Sequence, residues 1–268
     1  MPLRSIRMNR GKSMIAGLRR YQINDIRQDL RGWYNRPVGQ LLLAQEREQL
    51  DNVLPTLFGY HIVQVGCLLG NDLLSGSRVL NKVLIDPDKG GETLTPAVYG
   101  YPDALPIASD SVDVVVLPHT LEFERDPHQI LREVDRVLIP EGHVVVLGFN
   151  PWSLWGLWRL LFGRSGKAPW CGDFLSLTRT RDWMALLGFD VVLERHYFFR
   201  PPMQASSVMN KLSFMERLGA KLWPRLSGAY MLVAKKRVTT LTPIKPRWRA
   251  SRNLLGDIPS PTARSGRT

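Results

Sequence analysis

Two glycines follow a short apolar segment and are suited to bring the backbone close to a ligand. The segment HIVQV (61–65) is a β-branched run typical of a strand, and Gly66 and Gly70 come directly after it. Glycine lets the chain turn sharply and lets a ligand approach without a Cβ in the way. The N-terminus of a following helix would offer free N–H groups to a carboxylate or phosphate. The same pair also suits an ordinary turn, so it predicts a binding loop only together with other signals.

An acidic residue ends the next strand candidate. Asp86 closes the segment KVLID (82–86). A carboxylate at the end of a second parallel strand is placed to accept both hydroxyls of a ribose, as in dinucleotide-binding folds. Aspartate before proline is also a common turn former, which leaves a structural role open. The spacing from Gly66 favours a nucleoside ligand.

One histidine stands where a general base would be needed. His119 follows the apolar run VDVVVL (112–117) and so lies at the end of a buried strand. It is our candidate general base, although a single histidine at such a turn is more often a hydrogen-bonded structural residue. The other histidines show no metal-ligand spacing, and Cys67 and Cys171 are far apart in the sequence. We therefore expect no metal site and no disulfide framework.

The elements that must position these residues alternate between strand and helix patterns. Helices are predicted at 37–54, 126–138 and 178–189, strands at 61–65, 82–86, 97–101, 112–117, 143–149, 190–198 and 229–236, and a turn at PEGH (140–143). This alternation predicts an α/β fold with a mostly parallel, doubly wound sheet covered by helices on both faces. Ligands of such sheets bind at the carboxyl ends of the strands, so the residues after Val65, Ile85, Tyr101 and Leu117 are candidates for the site.

An ordered set of short motifs carries a family resemblance. The stretch 103–151 contains LPI (105–107), SVD (111–113), LEF (121–123), DP (126–127), Leu131, Glu133, RVL (136–138) and PEG (140–142). This order resembles the methyltransferase type 11 domain of the class I S-adenosylmethionine-dependent methyltransferases, and the wider likeness covers residues 25–236. Within that family the chain is similar to the YafS-like proteobacterial group through LLLAQE (41–46), LPTLFGY (54–60) and GFNPWSLWGL (148–157).

The resemblance implies a Rossmann-like, seven-stranded methyltransferase fold that binds S-adenosyl-L-methionine. The loop after the first strand would lie under the methionine portion, Asp86 would hold the ribose, and Asp103 with Ala104 would face the adenine. The implied cofactor-binding residues are Gln64, Gly66, Cys67, Gly70, Asp86, Asp103, Ala104 and Leu117, and the implied substrate-side residues are His119 and Trp152.

Two residues depart from the family pattern at the first loop. Gln64 stands where the family has an acid, and Leu68 stands where it has a glycine. Loss of an acid that contacts the cofactor ammonium removes a charge-assisted hydrogen bond, worth about 1.5–3 kcal/mol. The departures suit either a modified cofactor pocket or a non-catalytic binding or scaffold protein on the same fold. A nicotinamide oxidoreductase would use the same Gly and Asp spacing, but the motif order argues against it.

An aromatic segment follows the fifth predicted strand. NPWSLWGLWRLLFGRSGKAPW (150–170) belongs to a predicted helical insertion at 150–177 that is apolar on most of its surface. It suits an insertion that packs on its own core, a cover of the acceptor pocket, or a contact with a membrane surface, where Trp with flanking Arg is common.

The net charge of +12 is concentrated at the two ends of the chain. Residues 1–20 carry +6 and residues 235–268 carry +8, so the remaining residues sum to −2. We expect a basic, flexible N-terminus (1–20), a methyltransferase-like domain (21–236) and a basic disordered tail (237–268). The basic ends are suited to weak polyanion contact.

The sequence therefore predicts an S-adenosylmethionine-dependent methyltransferase that acts on a small-molecule acceptor. No run of 18 apolar residues and no signal-peptide pattern occurs, so we expect no transmembrane segment and a cytoplasmic location.

Overall fold

The computed structural model describes residues 26–66, 73–87, 97–162, 167–202 and 214–237. Residues 67–72 of the predicted first loop, which include Cys67, Leu68 and Gly70, lie outside the described residues. The same is true of the predicted flexible N-terminus and of nearly all of the predicted disordered tail, so those predictions are not addressed by the fold.

Seven strands form one sheet. They are β1 (His61–Val65), β2 (Asn81–Asp86), β3 (Ala97–Tyr99), β4 (Val112–Pro118), β5 (Leu138–Phe149), β6 (Phe189–Tyr197) and β7 (Ala229–Lys236). The order across the sheet is β3-β2-β1-β4-β5-β7-β6. Strand β7 runs antiparallel to both of its neighbours, and the other pairings are parallel. The predicted α/β, mostly parallel, doubly wound sheet is confirmed, and its direction of winding reverses between β1 and β4.

Helices cover both faces of this sheet. They are α1 (residues 26–34), α2 (Pro37–Val53), α3 (Thr120–Phe123), α4 (Pro127–Val137), α5 (Leu154–Phe162), α6 (Leu177–Leu186) and α7 (Phe214–Leu222). Helix α4 shows how the sequence sets their bounds. The Asp126 side chain caps its N-terminus by accepting a hydrogen bond from the Gln129 N–H at 3.0 Å, and Pro127 occupies the first helical position.

Strand β4 separates two layers of the core. Val114 and Val116 face the layer that contains α1, α2 and α5, whereas Val115 and Leu117 face the layer that contains α4 and α6. This alternation follows from the two-residue period of a strand. Both layers are buried, which explains the continuous apolar run in the sequence. Within the described ranges, no helix is long and apolar enough to cross a bilayer.

The prediction of a separate turn at PEGH (140–143) is wrong. Strand β5 already begins at Leu138, and the turn-like residues form a bulge inside it. Val112 pairs with Leu138 and Val114 pairs with His143, so β5 advances five residues while β4 advances two. The extra residues loop out of the ladder, and Glu141 takes a φ of 66°. Regular pairing of β5 with β4 resumes at His143, which is the residue where the sequence predicted this strand to begin.

Candidate functional site

The carboxyl ends of β1 and β4 meet beneath helix α1 and border a small cavity. Its volume is about 30 Å³, and its walls are Gly66, Pro118, His119, Thr120, Phe123 and Glu124 together with Arg27, Leu30 and Pro102. This is the edge where parallel sheets bind ligands, next to the strand pair at which the winding reverses. Two of the residues singled out from the sequence, Gly66 and His119, therefore lie in one wall.

The turn after β1 requires glycine. Gly66 has a φ of +91°, and a Cβ at this position would stand 3.3 Å from the Thr120 Oγ1. The Thr120 hydroxyl donates to the Val65 carbonyl at 2.7 Å, which holds β1 against the start of α3. The Gly66 N–H donates to the Ile85 carbonyl at 2.8 Å. The backbone at Gly66 thus faces the cavity without a side chain.

Gln64 joins the two described ends of the first loop. Its Nε2 donates to the Gly66 carbonyl at 3.0 Å, and its Oε1 accepts from the Leu73 N–H at 3.3 Å. The side chain is buried. A carboxylate accepts but does not donate hydrogen bonds, so the acid of the family pattern would not reproduce both contacts. In this chain the residue braces the loop.

Asp86 lies at the end of β2, as predicted, and is buried against helix α1. The Arg31 Nη2 donates to the Asp86 Oδ2 at 2.7 Å. One turn earlier on the same helix, Arg27 forms an ion pair with Glu124. Two arginines spaced by four residues on α1 therefore attach this helix to the edge of the sheet where the candidate site lies.

His119 lies between two buried carboxylates. Its Nε2 is 2.8 Å from the Glu46 Oε1, and its Nδ1 is 2.9 Å from the Glu122 Oε2. The Tyr34 hydroxyl donates to Glu46 at 3.2 Å, and Glu122 accepts a short hydrogen bond from the Phe149 N–H. These polar groups form one continuous chain beneath the cavity, which we call the buried acid cluster (Tyr34, Glu46, His119 and Glu122).

Electrostatics keep His119 charged. Burial lowers the pKa of His119, but the carboxylates of Glu122 and Glu46 outweigh burial and raise it to about 10. Burial raises the pKa of Glu122, against the lowering effect of His119. Burial, with the nearby Glu46, also raises the pKa of Tyr34 well above its ordinary value. At neutral pH the imidazole is thus an imidazolium that donates through both nitrogens.

Of the eight predicted site residues that the structure describes, Gly66 and His119 line the cavity, and the other six do not. Asp103 and Ala104 are exposed, and Ala104 forms an isolated bridge with Tyr101. The Leu117 side chain packs in the layer beneath α4 and α6. Trp152 is 75% exposed and lies two residues before α5. Gly66, Asp86 and His119 are therefore the predicted residues that the fold brings to the cavity or to the helix above it.

The family motif that contains Glu133 and Arg136 has a structural role. The Arg136 guanidinium donates to the Leu105 and Ile107 carbonyls at 3.0 and 2.8 Å, and Glu133 accepts from the Leu105 N–H at 3.0 Å. The hydrogen bond from Arg136 lowers the pKa of the Glu133 carboxyl. This pair therefore fixes the segment 105–107 against helix α4.

Sequence reasoning missed the partners of the predicted residues. Arg31, Glu46 and Glu122 had no predicted role, although Glu46 ends the LLLAQE motif and Glu122 lies within LEF. The motifs mark these positions, but 73 residues separate Glu46 from His119, so no spacing pattern links the two.

No group of three or more His, Cys, Asp or Glu side chains in the described part of the chain is arranged to hold a metal ion.

Comparison with known proteins supports a methyltransferase family. The family described as Methyltransferase domain matches residues 84–146. The chain is 32% identical over 214 residues to the uncharacterised protein YafS of Escherichia coli K12, which covers 78% of this chain and 82% of YafS. An uncharacterised Mycobacterium tuberculosis protein is 28% identical over 179 residues, which covers 63% of this chain and 60% of that protein.

Solved structures share the fold at low sequence identity. A chain of the complex between the Haloferax volcanii Trm112 methyltransferase activator and a methyltransferase superposes with a TM-score of 0.55 at 16% identity, covering 80% of this chain and 98% of that one. A S-adenosylmethionine-dependent methyltransferase from Thermotoga maritima gives the same TM-score and identity over 75% of this chain and 91% of its own. Together with the identity to YafS, the shared fold shows that the chain belongs to the class I S-adenosylmethionine-dependent methyltransferase family, in its YafS-like group.

Proposed function

We propose that this protein transfers the methyl group of S-adenosylmethionine to a small-molecule acceptor. One observation carries the proposal. The glycine turn at Gly66, which lines the cavity, and the carboxylate of Asp86 lie at the carboxyl ends of neighbouring parallel strands in a chain of a methyltransferase family. This is the arrangement that holds a nucleoside ligand in doubly wound sheets.

The residues present fit this cofactor at two points. Gly66 lines the cavity without a side chain, which leaves its backbone open to close approach by a ligand. The Asp86 carboxylate would accept hydrogen bonds from ribose hydroxyls, and Arg31 of helix α1 pairs with the same carboxylate at 2.7 Å. When bound, S-adenosylmethionine supplies an electrophilic methyl group on a positively charged sulfur.

His119 acts as a fixed wall of the pocket in this proposal and not as a base. An imidazolium that already donates through both nitrogens has no lone pair with which to accept a proton. Transfer of a methyl group needs mainly alignment of the acceptor with the reacting carbon. The buried acid cluster serves that alignment by holding the end of β4 through the two hydrogen bonds of His119. His119 takes a left-handed conformation at this point, with a φ of 52°.

A second candidate function is a non-catalytic binding or scaffold protein on the same fold. Two features favour it. The described cavity, at about 30 Å³, has room for only one or two water-sized groups, and Gln64 braces the loop where the family has an acid. On this alternative, Asp86 serves to hold helix α1 through Arg31.

A thermal-shift experiment separates these candidates. A ligand that binds only the folded chain raises its melting temperature by mass action. We expect S-adenosylhomocysteine at millimolar concentration to raise the melting temperature and NAD to leave it unchanged. No shift with S-adenosylhomocysteine, in a protein whose folding is verified by circular dichroism, would favour the scaffold. A shift with NAD alone would favour the oxidoreductase that the same Gly and Asp spacing suggested.

The proposal also includes an expected cellular location and an expected role for the basic ends of the chain. The scarcity of cysteine suits a reducing compartment, which supports a cytoplasmic location. The basic ends of the chain are proposed to make weak, salt-sensitive contact with polyanions. Removal of residues 1–20 and 240–268 should reduce retention on heparin while the melting temperature stays constant. A truncated protein retained as strongly as the full chain would contradict this assignment of the charge.

A further inference from the structure

Helix α5 presents an apolar face to solvent. Leu154, Leu157, Trp158 and Leu161 follow the i, i+3, i+4, i+7 spacing that places side chains on one face of a helix. Their exposed fractions are 46%, 53%, 36% and 66%. The Trp158 ring packs against Phe162, with centroids 5.4 Å apart, and Phe162 is itself 46% exposed. Apolar faces of this kind mark interaction sites more often than free surface.

The opposite face of α5 is firmly anchored. Trp155 is fully buried, its Nε1 donates to the Arg200 carbonyl at 2.8 Å, and its ring stacks on Phe149. Gly156 lies so close to the Pro151 carbonyl that a Cβ has no room. The helix cannot turn its outer side chains into this core, because the inward positions are already filled.

A second apolar segment lies next to the first. Trp223 is 61% exposed and Leu226 is 50% exposed. A short 3-10 turn (Pro224–Leu226) follows Trp223 and includes Leu226. The Asn150 Nδ2 donates to the Arg225 and Ser227 carbonyls at 2.7 and 3.0 Å, which ties the segment before α5 to this turn. The exposed apolar groups of the two segments therefore belong to one region, which we call the α5 surface (residues 152–162 and 223–226).

Basic residues flank the α5 surface: Arg159 lies within α5, and Lys221 and Arg225 lie on either side of Trp223. Arg159 pairs with Asp173. A helix with Trp, Phe and Leu on its outer face and Lys or Arg beside them is typical of segments that lie in the headgroup region of an anionic bilayer. Tryptophan is enriched at that interface.

We propose that the α5 surface docks this protein on anionic phospholipid. The apolar side chains enter the boundary between headgroups and acyl chains, and the basic residues contact lipid phosphates. Strand β5 leads directly into this region, and its last residue, Phe149, packs on His119 with ring centroids 4.1 Å apart. Docking therefore holds the candidate site close to the lipid surface. The docking proposal does not depend on whether the protein transfers methyl groups.

Vesicle flotation of the full chain tests this proposal. The vesicles contain phosphatidylglycerol in phosphatidylcholine, or phosphatidylcholine alone, and binding is measured in 0.1 M and 0.5 M NaCl. High salt screens the basic ends of the chain and the basic residues of the α5 surface alike, since the Debye length falls well below 10 Å, so the binding that remains reports the apolar side chains. The test variant is Leu157→Ser/Trp158→Ser/Leu161→Ser. The matched control, Leu80→Ser/Leu186→Ser/Val192→Ser, removes apolar groups that are 93%, 84% and 59% exposed elsewhere on the chain.

The proposal predicts that the native chain binds phosphatidylglycerol vesicles at both salt concentrations, with a blue shift of tryptophan fluorescence. The test variant should partition at least about tenfold more weakly, while the control stays within about twofold of the native chain. Both variants should keep the native circular dichroism spectrum. The proposal is overturned if the test variant binds like the native chain, or if native binding vanishes in 0.5 M NaCl. It is also overturned if the native chain forms a lipid-free dimer that the test variant abolishes.

Discussion

Arg31 of helix α1 donates a hydrogen bond of 2.7 Å to Asp86 at the end of β2, although 55 residues separate the two in the sequence. The Asp86 side chain is 8% exposed and that of Arg31 is 21% exposed. An ion pair with this little exposure is screened by water much less than a surface pair. The contact therefore links the position of α1 to the residue expected to hold the cofactor ribose.

Replacement of Arg31 should destabilise the fold. Arg31→Gln removes a charged partner from a buried carboxylate, which costs about 1–3 kcal/mol and lowers the melting temperature by about 3–10 °C for a chain of this size. Arg132→Gln is the matched control, since its 3.9 Å pair with Asp126 is more than half exposed on both sides. Differential scanning calorimetry of both variants decides the point. Equal melting temperatures would show that the Arg31 contact is as weak as a surface pair.

Conversion of Gln64 to an acid should cost stability. Gln64→Glu keeps the size of the side chain but removes the Nε2 donor to the Gly66 carbonyl, which leaves a buried carbonyl facing a carboxylate. We expect a loss of about 1–3 kcal/mol in the free energy of unfolding, measured by urea denaturation. Gln40→Glu, at an exposed position of α2, should be neutral. An unchanged stability of Gln64→Glu would mean that the loop does not need the amide.

Glycine at position 66 should be required, whereas glycine at 32 should not. Gly66→Ala forces a residue with a Cβ to a φ of +91° and brings that Cβ to 3.3 Å from Thr120, at a cost of about 1–2 kcal/mol. Gly32 lies within α1 with nothing within 4 Å of an added Cβ. Gly32→Ala should therefore raise stability by about 0.5–1 kcal/mol. Opposite shifts of the two melting temperatures are expected, and a fall of both would contradict this view of α1.

The charge on His119 should make stability depend on pH. The pKa of His119 is raised from 6.5 to about 10 by Glu122 and Glu46, in spite of burial. Below pH 6.5 its stabilising effect is complete, because both folded and unfolded chains hold the proton. Between pH 6.5 and about 10 only the folded chain holds it, so stability falls as pH rises, by on the order of 1 kcal/mol per pH unit.

The pH dependence is tested with two histidine variants. His119→Asn, in which asparagine tolerates the left-handed backbone, should lower stability at pH 7 and flatten the slope between pH 7 and 9.5. His196→Asn should keep the native slope, because burial lowers the pKa of His196 and leaves it neutral in this window. Urea denaturation at four pH values measures both. A native slope in His119→Asn would show that another group is responsible.

The strands could be predicted because each buried strand is a short run of mostly apolar residues that can be recognised without knowing its neighbours. The continuous run at 112–117 predicted β4 to within one residue, and AYMLVAKK coincides with β7. The start of β5 was predicted five residues too late because the bulge at Glu141 contains the same residue types as a turn. A bulge is defined by its partner strand, and the sequence of one strand does not contain that information.

The candidate site could be predicted in part for a similar reason. Gly66 and Asp86 were identified because each follows its own strand. The pairing of Glu46 with His119 could not be found, because Glu46 lies on helix α2 and only the packing of α2 on β4 brings the two together. The helical segment 154–162 was predicted, but not the face that it exposes, because its residues are apolar on nearly all sides.

Isothermal titration of the full chain and of its Asp86→Asn variant with S-adenosylhomocysteine tests whether Asp86 holds the cofactor ribose. If Asp86 holds the ribose, the loss of its charge weakens one or more charge-assisted hydrogen bonds, and affinity should fall about 10- to 100-fold. Asp190→Asn, which breaks an exposed 2.9 Å pair with Arg237, should bind like the native chain. Saturable binding that weakens only in Asp86→Asn is the predicted result. Absence of binding in the native chain, or equal affinity in all three proteins, would contradict the account.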